Sequence, residues 1–367
     1  DLGDGRTISI ETGVLAKQAD GAVTVRIGDT ILLATVVATR EAREGIDFLP
    51  LTVEYREKFG AAGRFPGGFF KRENRPSDGE VLVSRLIDRA LRPLFNDDFH
   101  GDTQVMVSLL STDKKNPSDS IACLAAAAAL AVSDIPFNGP VSEVRVSRKN
   151  GTWSINPTFE GSEGADIDLI VAGTASDILM VEGEMKEVSE AEMIDGIKRA
   201  HEAIKIQCRA LNELAASVAK SSPKRTYDHE EKDEALEKAI YKATFQKYYD
   251  IATVASAKEV RGEAFAKVKE EFVATLPEET RAKKAMLARY FKKAQKAGVR
   301  RVVLEKGTRL DGRKTTDIRP IWSEVDVLPG THGSAIFTRG ETQALNTVTL
   351  GSKMDEQTVD TAMVKRS

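Results

Sequence analysis

Between Tyr55 and Ser77 the chain reads YREKFGAAGRFPGGFFKRENRPS, with Arg56, Lys58, Arg64, Lys71, Arg72 and Arg75 interleaved among Tyr55, Phe59, Phe65, Phe69 and Phe70. That mixture suits single-stranded nucleic acid. Aromatic rings stack on unpaired bases at roughly 1–3 kcal/mol each, while cations follow the phosphates. Gly63, Gly67 and Gly68 make the stretch pliable, and two adjacent phenylalanines in such a loop are poor core material. The competing reading is a surface loop whose rings tuck under neighbours and whose charges are solvated. Composition alone leaves the two open. Pro66-Gly67-Gly68 is not a P-loop, because no Gly-Lys-Ser/Thr follows it.

Just downstream, Arg85, Arg89 and Arg92 recur at helical spacing and share one face. They could extend a basic wall, but Asp88 is spaced to pair with both Arg85 and Arg92, which favours a structural role. The formal net charge of −3 means that any polyanion site is a local patch. Cys123 and Cys208 are the only cysteines, so no disulfide framework exists and a reducing compartment fits. His100, His201, His229 and His332 lack zinc-ligand spacing. The apolar run from Ile121 to Val132 is too short to span a bilayer and reads as a buried helix. The first residues carry no export signal, so the expectation is a cytoplasmic protein with no membrane partner.

The elements that must position the loop follow from pattern. Val23, Val25 and Ile27 share one strand face, and Gly28-Asp29 makes a two-residue hairpin turn. The partner strand, ILLATVVA, is apolar on both faces and should be central in a sheet. Ser77 with Glu80 three residues on is a capping box, and Pro93 closes that helix. Strands at TQVMVSLLS, SEVRVS, TWSIN, DIDLIVAG and DILMVEG, the alanine-rich helix and a helix over 189–220 complete an α+β module. Composition changes at Ser221-Ser222-Pro223. From Tyr227 to Ala297 the chain is poor in glycine, rich in Ala, Glu and Lys, and helical in period, with a break at Pro277; its charges read as solvated faces.

At LDGRKTTDIRPI the strand pattern returns, and residues 331–350 repeat residues 19–38 without a gap. Gly21, Gly28, Thr30, Leu33, Thr35 and Val36 fall on Gly333, Gly340, Thr342, Leu345, Thr347 and Val348, and Glu341 keeps the charge of Asp29. Arg339 takes the place of Ile27 and reads as a surface or interface residue. The expected domains are therefore 1–222, an α+β module; 223–304, a helical linker; and 305–367, the start of a second copy that a full module would continue well past Ser367.

This duplicated layout, with GDT, EY, RLIDRALR and GSAIFTRGETQAL, resembles the bacterial polynucleotide phosphorylase family, each module being similar to an RNase PH-like domain (a ribosomal protein-type β-α-β fold). The resemblance implies phosphate-dependent 3′-to-5′ degradation of single-stranded RNA, as in mRNA decay, that releases nucleoside diphosphates and is reversible as polymerisation. It also implies a ring-shaped homotrimer and Mg2+. GGFFKRENRPS looks like the family's channel loop, which puts RNA binding on Phe69, Phe70, Lys71, Arg72 and Arg75. A lysine replaces the first of two arginines there, keeping charge but losing the planar fork.

The first module departs from what the resemblance requires of an active copy. Gly79 replaces a phosphate-binding arginine, and Lys115-Asn116-Pro117 replaces the phosphate loop. Asp166 and Asp168 persist, but Ile170 stands for the lysine of an Asp-x-Asp-x-Lys run and Ser162 for a further carboxylate. The expectation is a module that keeps the fold and has lost the chemistry, with no catalytic residue or metal ligand in this chain and the active site beyond Ser367. Two alternatives are a non-catalytic RNA-binding ring subunit and a stand-alone tRNA-trimming RNase PH. The helical insert and the repeat count against the first. The second hairpin and the degenerate first site count against the second.

Overall fold

A computed structural model describes residues 1–43, 45–67, 70–73, 75–229, 232–356, 359–363 and 365–366. The chain divides into two compact units, 1–229 with 357–367, and 230–356.

In the first unit, β1 (Ile8–Thr12), β2 (Gly21–Ile27), β3 (Thr30–Ala42), β4 (Leu51–Glu57) and, after helix α1 (Asp78–Leu91), β5 (Gly101–Ser111) form a mixed sheet in the order β1-β2-β3-β5-β4. The Gly28-Asp29 turn sets the β2–β3 register, pairing Ile27 with Thr30 and Gly21 with Val36. As expected of a strand apolar on both faces, β3 is central. α1 starts where the capping box places it: Ser77 accepts from the Glu80 amide, and Glu80 reaches back to the Ser77 amide. It ends one residue before Arg92-Pro93, since proline lacks the donor to continue.

Helix α2 (Ala122–Ala131) is buried on every side. Its alanines allow the closest approach the sheet permits, and a Cβ at Gly21 would overlap the Ala129 carbonyl oxygen. A second sheet joins β6 (Ser142–Lys149), β7 (Thr152–Ile155), β8 (Ile167–Gly173) and β9 (Ile178–Met185) in the order β7-β6-β8-β9, with the short helix α3 (Phe159–Ser162) between β7 and β8. One face of this sheet, Val144, Val146, Ile167, Leu169 and Val171, packs with Ala200, Ile204 and Cys208 of α4 (Glu190–Ala216). The opposite face of β6 and β8 carries Glu143, Arg145, Ser147, Asp168 and Ile170. Helix α4 ends at Ala216, short of the residue 220 that periodicity suggested.

The second unit holds α5 (Glu234–Thr253), α6 (Lys258–Ala274), α7 (Glu278–Ala282) and α8 (Lys284–Lys306) around Ile240, Tyr248, Phe265, Tyr290, Phe291 and Val302. Pro277 marks the break between α6 and α7. The antiparallel strands β10 (Ile321–Val325), β11 (Gly333–Arg339) and β12 (Thr342–Val348) follow.

Candidate functional site

The basic–aromatic stretch leaves β4 and enters α1 along a cleft of about 1720 Å³ in the first unit. One wall is this stretch and the exposed side of α1. Another is the carboxylate-bearing face of β8 and β9 with Asp119 and Arg145, and Val359, Thr361, Ala362 and Met363 complete it.

The cations divide into two groups. Arg56 lies 3.7 Å from Glu80, and Lys58 bonds Glu73 at 2.8 Å while the Phe59 amide donates to the same carboxylate. Arg64 stacks over Phe59 and donates to the Thr361 carbonyl at 2.7 Å. These three brace the loop. Lys71, Arg72 and Arg75 are exposed and engaged in no ion pair among the described residues. Phe65 and Phe70 stand out from it, 86% and 79% exposed, whereas Phe59 is tucked in. Phe69, named with Phe70 from the sequence, lies outside the described residues.

On α1 the expected pairing is half present. Asp88 binds Arg92 at 2.5 Å, and Arg92 also donates to the carbonyls of Leu49 and Leu51, so Arg92 is structural. Arg89 instead finds Glu182 on β9. Arg85 lines the cleft exposed and without an ion pair among the described residues, which adds a fourth available cation beside Lys71, Arg72 and Arg75. Gly79 lies in the first turn of the same helix with open space around it, the nearest atom to a Cβ being Ser77 Oγ at 3.9 Å.

The remaining positions singled out by sequence are held internally. Asp113 folds the 113–117 loop on itself, accepting from the amides of Lys115 and Asn116 at 2.8 Å and from Thr30 Oγ1 at 3.0 Å. Partial burial pushes its carboxyl up, but those amides and the Asn116 and Thr30 side chains outweigh this and bring it down to about 2. Ser162 bonds the carbonyls of its own short helix. Asp166 precedes β8 and is clamped by Arg148, which also binds Glu192 and lies over Trp153. The Arg148 hydrogen bonds hold the Asp166 carboxyl below its usual range.

Asp168 belongs to a different cluster. The Arg145 guanidinium, missed from sequence, donates through Nη2 to Asp119 at 2.9 Å and approaches Asp168 through Nε at 3.7 Å. Burial lifts the Asp168 carboxyl, Arg145 pulls it back, and the charges of Asp119 and Glu184 add to the lift. Glu143, on the same strand face, is fully buried; burial, with Asp119 adding, pushes its carboxyl up to about 8 against Arg145. Ile170 is buried opposite Arg145 in the β6–β8 register. These carboxylates do not fit a divalent metal: Asp166 and Asp168 are held by different arginines. Among the described residues no group of three or more His, Cys, Asp or Glu is placed to bind one.

Three family models match in order along the chain: the 3′ exoribonuclease family, domain 1, over residues 4–136; its domain 2, over 139–203; and the polyribonucleotide nucleotidyltransferase RNA binding domain, over 235–314. Proteins named polyribonucleotide nucleotidyltransferase are similar over nearly the whole chain. That of Porphyromonas gingivalis strain W83 is 60% identical over 98% of this chain and 48% of its own length. Those of Parabacteroides distasonis and Cytophaga hutchinsonii are 58% and 53% identical, over 98% and 99% of this chain and 48% and 50% of theirs. The chain thus spans about half the length of the curated relatives it matches. Among solved structures, a chain of the Archaeoglobus fulgidus exosome with RNA bound to the active site aligns at TM-score 0.45 and 17% identity, covering 57% of this chain and 87% of that one. From the ordered family models and the relatives' identity, the chain belongs to the polyribonucleotide nucleotidyltransferase family.

Proposed function

We propose that this chain is the RNA-gripping portion of a phosphate-dependent 3′-to-5′ exoribonuclease that releases nucleoside diphosphates and can run in reverse as a polymerase. The observation that carries this reading is the division of the cleft. Lys71, Arg72, Arg75 and Arg85 lie exposed and unpaired among the described residues beside exposed Phe65 and Phe70. On the opposite wall Arg145 binds Asp119 and lies within ion-pair reach of Asp168. One wall can take a polyanion with stacked bases, and the other offers no metal for attack on it. Phosphorolysis, with Mg2+, inorganic phosphate and the catalytic carboxylates, then belongs to the length of the relatives that this chain does not span. In this reading the strands β10–β12 open a second, catalytic copy, the first module builds the channel of a cytoplasmic homotrimer, and Phe69 joins Phe70 in stacking.

The reading is tested by the salt dependence of single-stranded RNA binding. Each phosphate contact on a single strand contributes about 0.7 to the slope of log K against log salt. Lys71→Ala combined with Arg72→Ala should lower that slope by about 1.4. An unchanged slope in the folded double variant would remove the loop from the interface.

A further inference from the structure

We propose that Arg145 is the built-in cation of the first module, standing among carboxylates that would otherwise draw a divalent metal, so that this module's cleft works without one.

Residues 143, 145 and 147 alternate onto the inner face of β6, while Val144 and Val146 face α4. The antiparallel register sets Arg145 opposite Ile170 and Ser147 opposite Asp168, and on the next strand Asp168 lies opposite Glu184. Asp119 completes the ring from the turn ahead of α2. A guanidinium therefore lies between two carboxylates, bonded to one and within ion-pair reach of the other. Guanidinium groups are permanent cations in proteins.

The fit is electrostatic more than stereochemical. Asp119 Oδ1, Asp168 Oδ1 and Arg145 Nε are all buried and make no hydrogen bond among the described residues; the buried Ser147 hydroxyl is likewise unpartnered. Two carboxylates and a hydroxyl with lone pairs to spare are the donors a hard cation prefers. Arg145 neutralises them without completing their hydrogen bonds. A dication in the same space would meet the fixed positive charge at contact distance, and one carboxylate is already engaged. The position across from Arg145 on β8 is the apolar Ile170, so the cluster's cation comes from β6 alone.

Metal bound at this cluster can be counted directly, without RNA. Mn2+ is titrated into the chain and free ion is followed by electron paramagnetic resonance. The native chain and Asp168→Asn should bind the same number of ions. Arg145→Gln should gain one site, at least tenfold tighter than any in the native chain, and adding Asp168→Asn to it should abolish the gain. In the native chain, Mn2+ should not selectively broaden the amide resonances of residues 167–170, a readout that needs no variant to fold. An Asp168-dependent site in the native chain, selective broadening of those amides, or a folded Arg145→Gln that gains no ion would each overturn the assignment.

Discussion

The hairpins β2–β3 and β11–β12 are nearly the same object in two settings. Gly21 pairs with Val36 and Gly333 with Val348, each across seven residue pairs. Both turns put glycine in the left-handed region, at φ 57 and φ 61. Their burial is opposite. Val25 and Val36 are wholly buried, whereas their counterparts Phe337 and Val348 are 44% and 53% exposed. Thr30 is sealed under the 113–117 loop, and Thr342 faces solvent. Register and turn are therefore written in the hairpin itself, by a two-residue loop whose geometry only glycine adopts cheaply. Burial is supplied by partners: α2 and β5 in the first unit, and nothing comparable among the described residues of the second.

The sharpest way to break the pairing is at its first residue. In the first hairpin a Cβ at Gly21 would overlap Ala129 O and stand 3.0 Å from Ser133 Cβ. Backbone cannot yield as a flexible side chain can, so Gly21→Ala should cost about 3 kcal/mol or more. At Gly333 the nearest atom to a Cβ is Val348 Cβ at 3.6 Å, an ordinary contact, so Gly333→Ala should stay within about 0.5 kcal/mol. Each unit holds one tryptophan, Trp153 and Trp322, so denaturation of single-tryptophan chains reads them separately. Equal losses at the two glycines would show that the constraint belongs to the hairpin and not to α2.

A smaller contrast should appear at the last pair. Val36→Ala removes two buried methyl groups, and about 2 kcal/mol should be lost from the Trp153 transition. Val348→Ala removes atoms already half in water and should move the Trp322 transition by less than about 0.5 kcal/mol. If both cost the same, the second hairpin is covered in solution.

What could be read from the sequence follows the same division. The capping box at Ser77, the Gly28-Asp29 turn, the all-buried α2 and the break at Pro277 are decided within a few residues of chain, and each is where its local signal puts it. Asp88 with Arg92 is a single-helix pair and was legible. Arg89 with Glu182 joins residues far apart in the chain and was not. The candidate site divides likewise. Lys71, Arg72 and Arg75 declare themselves by type, but that Arg64 and Lys58 are spent on bracing depends on Thr361 and Glu73. Arg145 was hidden in SEVRVS, which reads as a strand and no more. Its signal was there: Glu143 and Arg145 alternate with Val144 and Val146, putting two charges on one face of a strand whose other face is apolar. Only the β6–β8 register tells which carboxylates they meet.

The finest difference between the hairpins is chemical, and acid should expose it. The first turn is held by Asp113, which accepts from the Asp29 amide at 3.3 Å and from Thr30 Oγ1 at 3.0 Å. The second turn has the aliphatic part of Arg319 against it instead, with Arg319 Cδ 2.8 Å from where a Gly340 Cβ would lie. Burial pulls the Asp113 carboxyl up, but the Asn116 and Lys115 amides and the Asn116 and Thr30 side chains prevail and hold it at about 2. A carboxyl depressed on folding binds fewer protons folded than unfolded, so it contributes stability above its unfolded value near 3.8 and loses that contribution as pH falls through 2. The Trp153 transition of the native chain should therefore exceed that of Asp113→Asn by on the order of 1 kcal/mol at neutral pH. The gap should be steady down to about pH 4 and close between there and pH 2. The Trp322 transition should show no such gap at any pH. A difference between native and Asp113→Asn that persists unchanged at pH 2 would mean that shape, not charge, holds the first turn.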